Sequence, residues 1–293
     1  MIYNNYVIFV MYDGYNYKGF QIQQDFDTIQ KRIYNALIDT FKYLNLNLKI
    51  ISMSYTGRTD AKVSAIKQIV NFKTDKPIKI NNEFSSEFFL DILNSFLPDD
   101  IKVYKFNPVK GSFNSRYEAI SKTYIYKMIS INNFIINKKY SILNILENEE
   151  YFKNERDYIK DKYGLHNFIF LPDFDDSKRQ KLLNIIPYFN TEAHFDSFYK
   201  PDKVFKNTFI KLQLFVYFYS FADINLINLE FESRYFLRNM VRKIVGTILA
   251  YVYDEISLDY VKDMFLNPDP SKGKYISSPC GLILFDSNYT EFT

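Results

Sequence analysis

The chain has 293 residues, 47% hydrophobic and 19% aromatic, which describes a globular protein with one large core or two medium ones and excludes a disordered chain. Its single cysteine, Cys280, excludes an internal disulfide framework, and with His166 and His194 as the only histidines no Cys/His zinc site is expected. A formal net charge of +3 permits an anionic partner without requiring one, so a nucleic-acid face would be a local patch.

In chain order, residues 6–12 read as a strand and Asp13-Gly14 as a turn. Residues 1–10 alternate like a strand and lack a basic leading region, so no signal peptide is expected. Thr28 or Asp27 can cap a helix whose apolar face is Ile29, Ile33, Ala36, Leu37, Phe41 and Leu44. Residues 48–55 and 68–72 read as strands. Ser85 or Ser86 opens a helix with Phe89, Ile92, Leu93 and Phe96 inward, closed before Pro98, and a strand follows at 101–106. This β-α-β-β-α-β order is the signature of a ferredoxin-like split unit.

The second half restarts with a strand at 118–130. Residues 131–190 are poorly patterned and rich in Asn, Lys and Asp. Strands are predicted at 209–221 and 224–232, helices at about 236–252 and 258–266, and a closing strand at 282–285. The stretch 209–221 is the most apolar, but Lys211 and Gln213 interrupt it and it is too short to span a bilayer. No membrane partner and a cytoplasmic location are expected.

Arginine usage points to the chemistry. Five of the eight arginines fall in three short segments, although 29 of the 37 basic residues are lysine. The planar guanidinium fork suits carboxylates, phosphates and aromatic faces in a way that ammonium does not. One segment, Gly57-Arg58-Thr59-Asp60-Ala61, follows a strand; a turn is its plain reading, yet a carboxylate two residues from an arginine on a strand-held loop can serve as nucleophile or base. Arg234, Arg238 and Arg242 recur every four residues, which predicts one stripe along a helix, a solvated face being the ordinary explanation. Arg242 lies in an apolar stretch and needs a carboxylate, for which Asp60 is the candidate; nearer Arg234 the stripe can meet phosphates. Tyr124 and Tyr126 share one strand face, where packing is the default and stacking on a nucleobase the functional alternative. Gly14 and Gly19 flank a loop that lacks the Lys-Ser/Thr of a nucleoside-triphosphate site, which is therefore rejected.

Together these segments resemble the tRNA pseudouridine synthase A family. Residues 57–65, Gly-Arg-Thr-Asp-Ala-Lys-Val-Ser-Ala, are similar to its G-R-T-D-x-G-V-[HS]-A motif, with Lys62 where glycine is usual. Tyr12-Asp13-Gly14 through Tyr17-Lys18-Gly19-Phe20-Gln21 resembles its first strand-turn segment. Arg116-Tyr117-Glu118-Ala119 with Lys122-Thr123-Tyr124-Ile125-Tyr126 resembles its R-F-x-A-x-x-[RK]-x-Y-x-Y stretch, with Ile125 at a commonly basic position. Residues 236–246 resemble its F-L-x-x-M-V-R-x-[IL]-V-G segment, and Ser278-Pro279-Cys280-Gly281-Leu282 its closing A-P-x-x-G-L. Residues 192–198 are loosely similar to a further family segment, G-x-H-D-F-x-x-F. Ser64 and Arg238 resemble archaeal and eukaryotic versions more than bacterial ones.

The resemblance implies an α+β fold of two ferredoxin-like halves, residues 1–107 and 108–293, forming a continuous, mostly antiparallel sheet flanked by helices, with a basic cleft between the halves and an insertion at about 131–190. It implies isomerisation of uridine to pseudouridine in tRNA, in the anticodon stem-loop, with no cofactor and no metal, by a possible homodimer. Asp60 would be the catalytic carboxylate, Arg242 its ion-pair partner, and Tyr124 the ring that stacks on uracil. Arg58 would hold the extruded nucleotide, Leu282 would line the base pocket, and Arg116, Arg234 and Arg238 would bind substrate. Two other readings stand beside this one: a catalytically silent tRNA-binding or RNA-folding protein, for which Lys62 speaks, and a different hydrolase or transferase using Asp60.

Overall fold

The structure, a computed structural model, describes residues 4–78, 85–132, 139–201 and 207–290. Residues 133–138 of the 131–190 insertion lie outside that description. Two compact units are present, Met1–Lys122 with Leu284–Thr293, and Thr123–Ile283. Among the described residues are ten strands, mostly antiparallel, and seven α-helices, which is the α+β class expected from the sequence. No helix among them is long and apolar enough to cross a membrane.

The first unit runs β1 (Asn5–Tyr12), α1 (Ile29–Tyr43), β2 (Ile50–Tyr55), β3 (Ser64–Thr74), α2 (Ser86–Ser95) and β4 (Ile101–Val109). All its pairs are antiparallel: β1 lies between β4 and β3, and β2 pairs with the far end of β3. The resulting order β4-β1-β3-β2 is that of a ferredoxin-like unit. Every residue of β1 except Met11 is buried, so both faces of this central strand are covered. On one face Tyr6, Phe72, Phe89 and Phe106 pack as an aromatic cluster, with Phe89 and Phe106 ring centroids 4.4 Å apart. On the other face Val7 and Phe9 pack with Ile69, Val109 and Phe113. Burying each such side chain contributes about 1.5–3 kcal/mol. The predicted apolar face of α1 is buried from Ile29 to Phe41. Thr28 is its N-cap, while Asp27 pairs with Arg32 at 2.6 Å instead. Phe96, expected inward, ends α2 exposed and meets Tyr43 edge-on.

The second unit contains β5 (Ser121–Ile131, from Thr123 on), α3 (Ile142–Glu147), α4 (Lys153–Tyr163), β6 (Ile169–Phe170), α5 (Asp176–Phe189), β7 (Thr191–His194), β8 (Phe209–Phe221), β9 (Ile224–Ser233), α6 (Met240–Val252), α7 (Leu258–Leu266) and the start of β10 (Leu282–Asn288). β7, β8 and β9 form an antiparallel run, and β6 adds to β5 in parallel. Within this unit β5, β9 and β8 follow one another in the sheet, as β1, β3 and β2 do in the first unit. The poorly patterned stretch after residue 138 is chiefly helical.

The sequence expectation for α6 fails at its start. The helix predicted from residue 236 begins at Met240, because Asn239 stands at its N-cap in the left-handed region (φ 59°). Arg234 and Arg238 are therefore not on the helix, and the three arginines form no helical stripe. The Arg238 carbonyl is used elsewhere, accepting from the Lys200 N–H at 3.0 Å.

Candidate active site

The sequence-predicted site residues fall into two groups, Asp60, Arg58 and Arg116 in the first unit and Tyr124, Arg234, Arg238, Arg242 and Leu282 in the second.

In the first unit, residues 56–63 link β2 to β3. Gln68 closes the neck of this loop, donating to the Gly57 carbonyl at 2.7 Å and accepting from its N–H at 3.3 Å. Thr56 and Thr59 are buried, and Thr59 shares a 2.8 Å hydrogen bond with the Tyr12 hydroxyl. The Phe20 N–H donates to the Thr59 carbonyl, the Lys62 N–H to the Tyr17 carbonyl and the Val63 N–H to the Asp60 carbonyl, all at 3.2 Å. Two motifs far apart in sequence thus pack directly together. Gly14 lies so close that a Cβ there would overlap the Val63 carbonyl, and Gly19 (φ 104°) faces the Thr59 carbonyl and the Ala61 N–H. The rejected phosphate-loop lookalike is therefore the brace of the Asp60 loop. Asp60 itself is half-buried at the turn of that brace.

Lys62 adopts φ 65°, the left-handed conformation that glycine takes freely. Its ammonium lies 5.1 Å from the centroid of the Tyr15 ring. Lys62, where the resemblance expects glycine, thus sits in the backbone region that glycine favours.

Arg58 is exposed. Arg116 is also exposed and follows Ser115, whose N–H and hydroxyl both donate to the buried Asn71 side chain at 2.9 Å. The Asn114 side chain accepts from the Arg116 N–H at 3.0 Å and from the Ser54 hydroxyl at 2.9 Å, which holds Arg116 beside the end of β2. Tyr55 feels both arginines: burial raises its pKa, while Arg116 and Arg58 pull it down.

In the second unit, Tyr124 is buried in β5 and meets Phe236 edge-on at 4.9 Å. Tyr126, two residues on, donates to the Ser278 carbonyl at 2.6 Å. Arg242, half-buried in the first turn of α6, donates through Nε to the Ser277 carbonyl at 2.8 Å. A Cβ on Gly281 would lie 2.7 Å from the Tyr126 ring, so the 3-10 turn Pro279–Gly281 approaches β5 closely and delivers buried Leu282 to the start of β10. Residues 277–282 thereby tie Arg242, the Tyr124–Tyr126 strand and Leu282 into one neighbourhood. Arg234 and Arg238 are exposed on the non-helical approach to α6.

The profile of the tRNA pseudouridine synthase family matches residues 192–290. A tRNA pseudouridine synthase A of Thermoanaerobacter sp. (strain X514) is 30% identical over 292 residues, covering 97% of this chain and 99% of its own length. The chain belongs to the tRNA pseudouridine synthase A family. Proteins of the same name from Malacoplasma penetrans (30% identical, 97% of this chain, 99% of its own length) and Ureaplasma urealyticum serovar 10 (28%, 97% and 100%) match as fully. The family profile begins in β7 at Glu192, so the loosely similar segment 192–198 falls within it. There Ser197 is buried and donates to the Met264 carbonyl at 2.9 Å, a packing role.

Sequence reasoning quoted Lys122 within the Arg116–Tyr126 stretch but gave it no role. Burial, with Arg116 beside it, lowers its pKa to about 8. No local pattern announces this, because the burial comes from tertiary packing. Among the described residues no three His, Cys, Asp or Glu side chains are grouped so as to hold a metal ion.

Proposed function

We propose that this protein isomerises uridine to pseudouridine in tRNA, in the anticodon stem-loop, with the Asp60 carboxylate as its central group and without a cofactor. The observation that carries this reading is the Asp60 loop, braced by residues 12–20 and by Gln68, in a chain that belongs to this family along nearly its whole length. Bracing of this kind is what a catalytic carboxylate needs, since small misplacements are costly to rate. The reaction breaks the bond between uracil N1 and the sugar, turns the base, joins C5 to the same sugar carbon, and balances the proton lost from C5 with one gained at N1. Asp60 acts on the sugar, either by attacking it or by removing a proton from it. Arg242 and Tyr124 complete the catalytic set in the roles the resemblance implies. Leu282 lines the base pocket, and Arg58, Arg116, Arg234 and Arg238 hold the RNA backbone, offsetting the few kcal/mol that flipping a base costs. A cytoplasmic location and a homodimeric state belong to the same proposal.

The silent RNA-binding reading depends on Lys62 disturbing the loop. Lys62 takes the left-handed backbone region in place, and the hydrogen bonds on either side of it are intact, which favours the catalytic reading. Mapping pseudouridine by carbodiimide labelling and primer extension, on transcripts incubated with the protein, tests the site assignment. Stops confined to the anticodon stem-loop are expected; stops elsewhere would move the target.

A further inference from the structure

Residues 12–20 brace the Asp60 loop from Thr59 onward, but its first limb is held by a residue from the far end of the sequence. That limb opens at Thr56, whose N–H donates to the Ile69 carbonyl at 3.0 Å. The Thr56 hydroxyl lies 3.2 Å from the same carbonyl and 2.6 Å from the hydroxyl of Tyr289. Tyr289 in turn donates to the Ser115 carbonyl at 2.5 Å. Ser115 is already fixed on its other side by Asn71 and directly precedes Arg116. One phenolic hydroxyl therefore joins the neck of the Asp60 loop to the segment that carries Arg116, all within the first unit.

The tyrosine is itself well anchored. Its ring packs on the core of this unit, 5.7 Å from the Phe113 ring. The strand before it is tied down by Asp286, paired with Lys67 at 2.6 Å, and by the Asn288 carbonyl, which accepts from the Ile120 N–H at 2.8 Å. Packing on Phe113 needs only a ring; the hydroxyl is what reaches the two segments. Thr56 and Ser115 are both 0% exposed, so a polar group left without its partner there is costly. Burial raises the Tyr289 pKa, so the hydroxyl keeps the proton it donates across neutral pH.

We propose that Tyr289 is a positioning residue for the isomerisation: its hydroxyl sets the neck of the Asp60 loop against the Arg116 segment, so that the carboxylate stands in register with the bound nucleotide. The inference rests on the catalytic reading above. Tyr289 acts through Thr56 and Ser115 rather than on substrate. A displaced carboxylate is felt chiefly when the sugar reacts, so the effect falls on kcat more than on KM.

The test follows steady-state pseudouridine formation on an unmodified tRNA transcript by the full-length wild type, Tyr289→Phe, Thr56→Val, their double variant and Thr56→Ser. Rates are referred to the protein that binds tRNA, so that a partly unfolded variant is not read as a mispositioned one. Tyr289→Phe keeps the ring and loses the hydroxyl; it is expected to lower kcat about 10-fold with KM changed less than about 2-fold. Thr56→Val should lose a similar factor, and the double variant no more than either alone, because both cut one link. Thr56→Ser, which keeps the hydroxyl, should recover most of the loss seen in Thr56→Val. Wild-type kcat in Tyr289→Phe would overturn the proposal, as would losses that multiply in the double variant. If Tyr289→Phe does not fold, Thr56→Val against Thr56→Ser decides, and equal kcat in those two would overturn it. Conversion by the wild type with no Tyr289 or Thr56 effect sinks this proposal alone. No conversion by the wild type sinks the catalytic reading, and this proposal with it.

Discussion

Arg242 and Ser277 hold one another through three hydrogen bonds. The Arg242 Nε donates to the Ser277 carbonyl at 2.8 Å, and the Ser277 N–H and hydroxyl both return to the Arg242 carbonyl, at 3.0 and 3.1 Å. This fixes the direction of the guanidinium from the first turn of α6. Lysine at this position keeps the charge but has no Nε in the plane of a fork. Arg242→Lys is therefore expected to cost about 1–2 kcal/mol in urea unfolding and to lower kcat for tRNA by about 10²-fold. A variant as active as the wild type would remove Arg242 from the catalytic set.

Gly14 tests the brace of the Asp60 loop without touching the loop's own residues. A Cβ there overlaps the Val63 carbonyl, and backbone has no rotamer by which to yield. Gly14→Ala is expected to destabilise the protein by about 1–3 kcal/mol. It should lower pseudouridine formation by about 10²-fold through displacement of the loop. Full activity would mean that the position of the loop does not matter to the chemistry.

Lys62 separates backbone from side chain. Lys62→Gly and Lys62→Ala both lose the contact with Tyr15, so their difference reports the left-handed backbone alone. The glycine variant should be the more stable by about 1 kcal/mol in urea unfolding. Both are expected to convert tRNA. An inactive wild type rescued by Lys62→Gly would instead support the silent reading.

The stability of the protein should depend on pH through Lys122. Its pKa is lowered from 10.5 to about 8 in the folded chain, so between those values the unfolded chain binds more protons and stability rises with pH. Cys280 opposes this above pH 9, because burial raises its thiol to about 12 and the folded state then keeps the proton. Lys127 and Lys243, both lowered by burial, act in the same sense as Lys122. The difference between wild type and Lys122→Gln isolates one group, and should grow in favour of the wild type from pH 8 to 10 by at most about 3 kcal/mol. A flat difference would mean that Lys122 is solvated like an ordinary lysine.

The first half of the fold was legible because its helices and strands bury contiguous local patterns. Ile29, Ile33, Ala36, Leu37 and Phe41 are spaced for one helix face and are all buried, and Ser85 caps α2 by accepting from the Phe88 N–H. The insertion was opaque for a physical reason. Only Glu155 and Ile159 of α4 are buried, so no apolar stripe marks it, and its tip instead grips Asp223 through Lys162, Tyr158 and Tyr163. Signals for α3 and α5 were present in their caps, Ser141 with Asn144 and Asp175, and were not used. The early start given to α6 shows the limit of periodicity. Leu237, Met240, Val241 and Ile244 carry a helical spacing, but the backbone at Asn239 turns left-handed and the first two arginines leave the helix. At the candidate site, the arginine-rich segments and the lone Asp60 stood out by residue type, whereas the packing of residues 12–20 on the Asp60 loop and the burial of Lys122 arise only when distant segments meet.

The most direct measurement is release of tritium from unmodified tRNA transcripts labelled at uracil C5, with wild type and Asp60→Asn run side by side. Rapid release by the wild type, reduced at least about 10⁴-fold in the variant while tRNA binding is retained, is the predicted result. Release by Asp60→Asn at the wild-type rate, or none by the wild type across a full set of tRNAs, would contradict the assignment of Asp60 as the catalytic carboxylate of a pseudouridine synthase.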